Sequence, residues 1–159
     1  MTPAELHTLD GVVVEGVPPR FALHPYGVFT TFVLVDGGVL GWDEHLSRLA
    51  KDAHALWGHR LDTTRVSAHL AGHAARLEGP ASIRVTLYPA DLAISFPGAA
   101  SGCRVLISSG VAQFPFVPEY AFTVGSTDHV RDLPDVKSTS LLAQIHLRRT
   151  AQLNGFDDA

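Results

Sequence analysis

Short β-branched runs and one strong hairpin pattern open the chain. Residues 12–14 (VVV) lie just after Gly11 and predict a short strand. The strongest strand pattern is residues 27–35 (GVFTTFVLV), which are rich in Val, Phe and Thr. It stops at Asp36-Gly37, a pair that favours a tight turn, so residues 39–40 are predicted to return as the second strand.

The spacing of apolar residues after this hairpin predicts two helices. The first is expected to begin with Asp43 as its cap and to end at Gly58. The second is expected to run over residues 63–77, with Asp62 as its cap. The buried faces would be formed by Leu46, Leu49, Ala53, Leu56 or Trp57, Val66, Leu70, Ala74 and Leu77.

The remainder of the chain carries further strand and helix patterns on either side of a change in composition. Residues 83–87 and 104–107 are predicted to be strands, separated by a loop rich in Ala, Gly and Pro. Residues 113–119 resemble a linker. Beyond it, residues 121–124 are predicted to form a strand and residues 139–154 a helix.

These elements predict an α+β fold with two domains. A small N-terminal domain of sheet and helices would span residues 1–118. Residues 119–159 would be the beginning of a larger, β-rich domain. Because so short a segment has little to pack against itself, we expect the chain to stop early in that domain.

Composition and charge narrow the classes of function. The chain is globular in composition, with 46% hydrophobic and 18% charged residues. Its formal net charge of −4 argues against a protein that binds nucleic acid, since such proteins usually carry a basic face. Cys103 is the single cysteine, so no internal disulfide points to an oxidising compartment. Without a secretion signal or a run long enough to span a membrane, the chain is predicted to be cytoplasmic.

Lys137 is the first candidate for chemistry. It follows a loop containing Pro134 and precedes a predicted helix start. A lysine whose amine is desolvated or flanked by cations has a lowered pKa and forms Schiff bases. The alternative is an ordinary solvated lysine near a helix end.

Two further patterns on the predicted helices are candidates for ligand binding. Arg48 lies beside the buried face of the first helix, and its planar guanidinium is suited to a phosphate group; a surface arginine is the alternative. His69 and His73 are four residues apart, a spacing that can place two ligands on one metal ion. No third ligand accompanies them, so no metal site is predicted.

Four segments, taken in order, resemble the class IV, fold-type IV pyridoxal-phosphate enzymes. This family includes branched-chain aminotransferases, D-amino acid aminotransferases and aminodeoxychorismate lyases. Each motif is short, but the ordered set covers almost the whole chain. The segments are residues 26–31 (YGVFTT), 36–38 (DGG), 44–49 (EHLSRL) and 135–138 (DVKS) with the helix that follows.

The resemblance implies a cofactor, a reaction and roles for individual residues. The cofactor would be pyridoxal 5'-phosphate, and the substrate a small amino or keto acid. Lys137 matches the lysine that holds the cofactor as a Schiff base and then acts as general base. Arg48 matches the arginine that binds the cofactor phosphate, and Phe29 matches a position that lines the substrate pocket. A homodimer is also implied.

Departures from the family pattern bear on specificity. Tyr88, placed in the substrate pocket, stands where many relatives carry an arginine; in the D-amino acid enzymes that arginine grips the substrate carboxylate. Leu142 stands where branched-chain enzymes carry a tyrosine, and residues 29–31 (FTT) resemble the lyases. The pattern therefore leans toward the lyase or D-amino acid branch and leaves both lyase and transaminase open.

Family members continue well beyond the lysine helix, into a part that supplies the acidic partner of the pyridine nitrogen and amides around the phosphate. We therefore expect this chain to be a fragment of a longer enzyme. The alternative is an inactive fragment or homologue that serves as a binding or assembly domain.

Overall fold

One antiparallel sheet of six strands organises the protein. The computed structural model describes residues 5–16, 25–112 and 123–159. Every strand pairs antiparallel with its neighbours, in the order β2-β1-β6-β5-β3-β4. The strands are β1 (Leu6–Leu9), β2 (Val12–Val13), β3 (Val28–Val35), β4 (Gly38–Val39), β5 (Ala81–Tyr88) and β6 (Arg104–Val111).

Two hairpins of this sheet turn at Asp-Gly pairs. Asp36 and Gly37 have φ values of 48° and 74°, which confirms the predicted tight turn between β3 and β4. Asp10 and Gly11 have φ values of 48° and 83° and join β1 to β2 in the same way. The short strand β1 was not predicted, because it carries no β-branched run.

Two helices follow the second hairpin, close to the predicted positions. The first, α1 (Trp42–Trp57), begins after Gly41, which has a left-handed φ of 66° and makes no side-chain cap. The prediction of Asp43 as the cap was therefore wrong. Asp43 lies inside the first turn, where its charge favours the positive end of the helix dipole. Gly58 ends the helix with φ 69°, as predicted.

The second helix, α2 (Thr63–Ala74), begins as predicted and ends three residues earlier than predicted. Asp62 caps it by accepting a hydrogen bond from the Arg65 N–H over 3.0 Å.

The helices cover one face of the sheet and bury the core there. The strands alternate, as β5 shows: Ile83, Val85 and Leu87 are fully buried, while Arg84 points to the other face. Burial of one such aliphatic side chain contributes about 1.5–3 kcal/mol. From α1 and α2 the core receives Leu49, Ala53, Val66 and Leu70.

The C-terminal segment adds a third helix, α3 (Leu142–Leu153). It begins three residues later than predicted, because Thr139 is bonded to the edge of β3 instead, where its N–H donates to the Gly27 carbonyl. Val124 forms an isolated bridge with Asp158, and the rest of the predicted strand over residues 121–124 lies largely outside the described residues.

The α+β class is confirmed. The predicted linker at residues 113–119 lies outside the described residues, so the division into domains at residue 118 stays a prediction. In the described part of the chain, no helix has the length and apolar character needed to cross a membrane.

Candidate active site

Lys137 lies at the edge of the sheet, where its segment pairs with the start of β3. The Phe29 N–H donates to the Lys137 carbonyl over 3.0 Å, and the Thr139 N–H donates to the Gly27 carbonyl over 2.8 Å. The Lys137 N–H donates to Oδ2 of Asp52 on α1, 3.0 Å away. The main chain of Lys137 is therefore held by the sheet on one side and by a helix on the other.

The Lys137 side chain is directed to the Phe29 ring. The amine lies 5.2 Å from the ring centroid, and the guanidinium carbon of Arg84 lies 3.9 Å from it. Phe29 and Lys137 line a cavity of about 600 Å³ whose other walls come from α3 and the segment before Lys137. The structure thus brings together Lys137 and Phe29, two of the predicted site residues.

The surroundings of Lys137 lower the pKa of its amine. Partial burial is the main cause, and the positive charges of Arg48, Arg131 and Arg84 act in the same direction, while Asp52 opposes them. A lowered pKa raises the neutral fraction of the amine at neutral pH, and the neutral amine is the nucleophile.

Arg48, the second predicted site residue, is held by two neighbours on the helix-covered side of β3. Its Nη2 donates to the Thr30 hydroxyl over 2.6 Å and lies 3.3 Å from Nδ1 of His45. The Thr30 hydroxyl also lies 2.6 Å from that Nδ1. The guanidinium can only donate, so the Thr30 hydroxyl accepts from Arg48, and it accepts from or donates to His45 according to the tautomer of the ring. Burial first and the Arg48 charge second lower the pKa of His45, which favours its neutral form.

These cations fit a phosphate-bearing, carbonyl-bearing cofactor. Within the described part of the chain, Arg48, Arg84, Arg131 and Lys137 make no ion pair. Nε of Arg48 is buried and has no hydrogen-bond partner among the described residues. A phosphate group offers the charge and the acceptor oxygens that such a guanidinium requires, and Lys137 offers an amine for the carbonyl.

Tyr88 lies on the same face of β5 as Arg84, two residues beyond Thr86, which pairs with Phe29. Burial raises the pKa of its phenol. It is not among the residues that line the cavity beside Lys137. The assignment of Tyr88 to a substrate pocket stays a prediction.

Three residues of this site were missed by sequence reasoning. Asp52 is four residues after Arg48 and so shares its side of α1, a spacing that could have revealed it. Thr30 lies within the quoted strand motif, but only the fold shows that it bonds Arg48. Arg84 follows from the alternation of β5, once that strand is known to have one covered face.

The paired histidines of α2 contact different residues of the β1–β2 hairpin. His73 is fully buried, and its Nδ1 lies 2.9 Å from the Thr8 hydroxyl of β1. The ring of His69 lies close to Gly11 instead. No cluster of three potential metal ligands occurs among the described residues.

The Cys103 thiol is buried, and burial raises its pKa to about 11, as suits an unreactive thiol in the core.

Comparison with known proteins agrees with this geometry. The family model for amino-transferase class IV matches residues 27–159, which is most of the chain. The chain belongs to the class IV aminotransferase family. The predicted resemblance is thereby confirmed. No curated protein matches the sequence with significance.

Solved structures of class IV proteins share the fold. An aminotransferase from Brucella abortus bound to PLP superposes with a TM-score of 0.75 at 19% identity, covering 96% of this chain and 60% of that one. The 4-amino-4-deoxychorismate lyase from Pseudomonas aeruginosa gives 0.66 at 21% identity, over 91% and 56%. The branched-chain amino acid aminotransferase from Escherichia coli gives 0.70 at 16% identity, over 97% and 56%. The chain thus spans about 60% of the length of the structures it matches.

Proposed function

We propose that this chain provides the lysine-bearing part of a pyridoxal-phosphate-dependent transaminase or aminodeoxychorismate-lyase-like enzyme. The observation that carries the proposal is the position of the Lys137 amine. It lies over the Phe29 ring beside a cavity, and burial and the positive charge of Arg48 lower its pKa. Membership of the class IV family supports it.

Each residue of the site has a distinct task in this proposal. Arg48, aligned by Thr30, binds the phosphate. Lys137, as the Schiff-base lysine, would hold the cofactor through Nζ, and the same atom would take up and deliver the substrate proton. The lowered pKa of Lys137 suits that exchange near neutral pH. When bound, pyridoxal phosphate supplies the electron sink for charge that develops on the substrate.

The substrate that fits this site is a small amino or keto acid. A cavity of about 600 Å³ lies within the usual range for small-molecule sites. Arg84 and Arg131 are cations near Lys137 that would attract the substrate carboxylate. Phe29 forms the wall between Lys137 and Arg84.

A second candidate function is that of an inactive binding or assembly domain. The exposed side chains of α3 favour it, since Leu142, Ile145 and Leu153 are 82%, 63% and 69% exposed. The same surface suits the subunit contacts of a homodimer, which we propose for the active enzyme. The two candidates differ because the assembly role requires no reaction between Lys137 and the cofactor.

Borohydride trapping of pyridoxal phosphate tests the proposal. The sequence has two lysines, Lys51 and Lys137, and Lys51 is exposed on α1. We expect a visible absorption band on mixing, and a reduced adduct that peptide mass spectrometry maps to Lys137. Lys137→Ala should abolish the adduct and lower amino-donor turnover by the complete enzyme about 10²–10⁴-fold.

Lys51→Ala is the matched control and should trap as the unchanged chain does. An adduct divided evenly between the two lysines, or none at all, would contradict the proposal and favour the assembly role.

A further inference from the structure

The main chain of Lys137 depends on one buried carboxylate. Asp52 is 1% exposed and lies in the middle of α1, on the helix-covered side of the sheet. Its Oδ2 accepts the Lys137 N–H over 3.0 Å, whereas its Oδ1 is buried and has no hydrogen-bond partner among the described residues. Burial of a carboxylate is costly, so a carboxylate placed here must serve a specific contact.

The contact with Asp52 completes the attachment of the lysine segment. Phe29 binds the carbonyl of Lys137, and Asp52 binds its N–H, so both main-chain polar groups of this residue are satisfied. From this fixed main chain the side chain extends toward the Phe29 ring, whose centroid lies 5.2 Å from the amine.

The charge of Asp52 also acts on the Lys137 amine, against the charges of three arginines. Arg48 comes from the same helix, Arg84 from β5 and Arg131 from the segment before Lys137; all three charges act on the Lys137 amine. Among the described residues, Asp52 is the one carboxylate whose charge acts on that amine in the opposite direction. The carboxylate that binds the Lys137 N–H therefore also offsets part of the positive charge around its amine.

We propose that Asp52 is a positioning residue that fixes the main chain of Lys137 at the edge of the sheet. The proposal rests on the role proposed for Lys137 in cofactor binding. Asp52 itself touches neither cofactor nor substrate, and it acts through the main chain of Lys137.

Amide hydrogen exchange of the full chain without cofactor tests the positioning role directly. A Lys51→Arg background leaves Lys137 as the sole lysine, so lysine-specific labelling isolates its signals. We expect Asp52→Ala to accelerate exchange of the Lys137 amide about tenfold to a hundredfold, because a hydrogen bond to a charged acceptor is lost. Asp52→Asn keeps an acceptor oxygen and should hold exchange within a few-fold of the unchanged chain.

The pKa of the Lys137 amine, followed by its carbon chemical shift against pH, provides the second readout. Asp52→Asn should lower this pKa further, because the balancing charge is lost while the position is kept. Asp43→Asn, an exposed carboxylate in the first turn of the same helix, is the matched control and should change neither quantity.

Two outcomes would overturn the positioning role. One is exchange of the Lys137 amide in Asp52→Ala within twofold of the unchanged chain. The other is an equal acceleration at amides of β6 in a uniformly labelled chain, which would mean a general loss of stability. If the unchanged chain forms no adduct with pyridoxal phosphate, the proposed function fails, whereas these measurements without cofactor still decide whether Asp52 positions Lys137.

Discussion

Two threonine–histidine pairs lie under the helices on the same face of the sheet, and they differ in what surrounds them. Thr8 of β1 is bonded to His73 of α2 at 2.9 Å, and Thr30 of β3 to His45 of α1 at 2.6 Å. Both threonines and His73 are fully buried, whereas the His45 ring is partly exposed beside the guanidinium of Arg48.

The difference shows that the same pair of side chains stabilises the core in one place and orients a cation in the other. Burial lowers the pKa of His73 to about 4, so that histidine stays neutral and serves the packing of α2. His45 also has a lowered pKa, through burial first and the Arg48 charge second, and the Thr30 hydroxyl accepts a hydrogen bond from that guanidinium. The Thr30–His45 pair lies near the sheet edge where Lys137 is attached, and this position distinguishes its role from that of the Thr8–His73 pair.

Removal of each imidazole should give the largest difference between the two pairs, in the free energy of unfolding. His73→Ala leaves a cavity and an unpaired buried hydroxyl on Thr8, so the free energy of unfolding should fall by about 3 kcal/mol. The site of His45 is open to solvent, so His45→Ala should lower the free energy of unfolding by about 1 kcal/mol or less. Urea denaturation followed by fluorescence measures both, and equal losses would show that the two pairs are equivalent.

The pH dependence of stability should also distinguish the two threonine–histidine pairs, because of the low pKa of His73. The folded pKa of His73, about 4, lies below its ordinary value near 6.5, so the unfolded chain takes up the proton first as the pH falls. This contribution to stability is complete above pH 6.5 and is lost as the pH falls toward 4, by roughly 3 kcal/mol in all.

Urea midpoints between pH 7.5 and 4.5 measure that loss. His73→Gln, which carries no proton to titrate, should show a flatter profile than the unchanged chain. His54→Gln alters an exposed histidine of α1 and should leave the slope as it is. A His73→Gln profile parallel to that of the unchanged chain would refute the assignment.

Matched valine substitutions give the smallest and most selective effects. Thr30→Val frees Arg48 from its hydroxyl partner and should raise the dissociation constant for pyridoxal phosphate about 3–10-fold. Thr8→Val should leave that constant unchanged and lower stability by about 1 kcal/mol, because His73 loses its partner. An absorbance titration with pyridoxal phosphate compares the two, and equal affinities would show that Thr30 does not orient Arg48.

Local patterns predicted the elements of the fold well, because each depends on its own few residues. The hairpin at Asp36-Gly37 and the cap at Asp62 were both predicted from their immediate neighbours. The predicted start of α3 at Thr139 was wrong because a contact between that residue and Gly27, distant in sequence, took precedence over helix propensity.

Local sequence singled out Lys137 and Arg48, and the resemblance to the family added Phe29; the roles of all three stay predictions. Neither revealed Asp52 or Arg84, since their roles depend on which strands and helices become neighbours. Two histidines on one helix gave no indication that only His73 would turn into the core.

The attachment of residues 137–139 to β3 has a consequence for solubility. β3 is paired on its other side by β5, and the short β4 covers only residues 34 and 35 along this edge. A strand edge left open invites pairing with another chain and so leads to aggregation. The segment that bears Lys137 occupies the first residues of that edge, at Val28. The lysine segment thus also covers part of an exposed strand edge, and variants that detach it should form intermolecular β-structure as well as lose the proposed cofactor site.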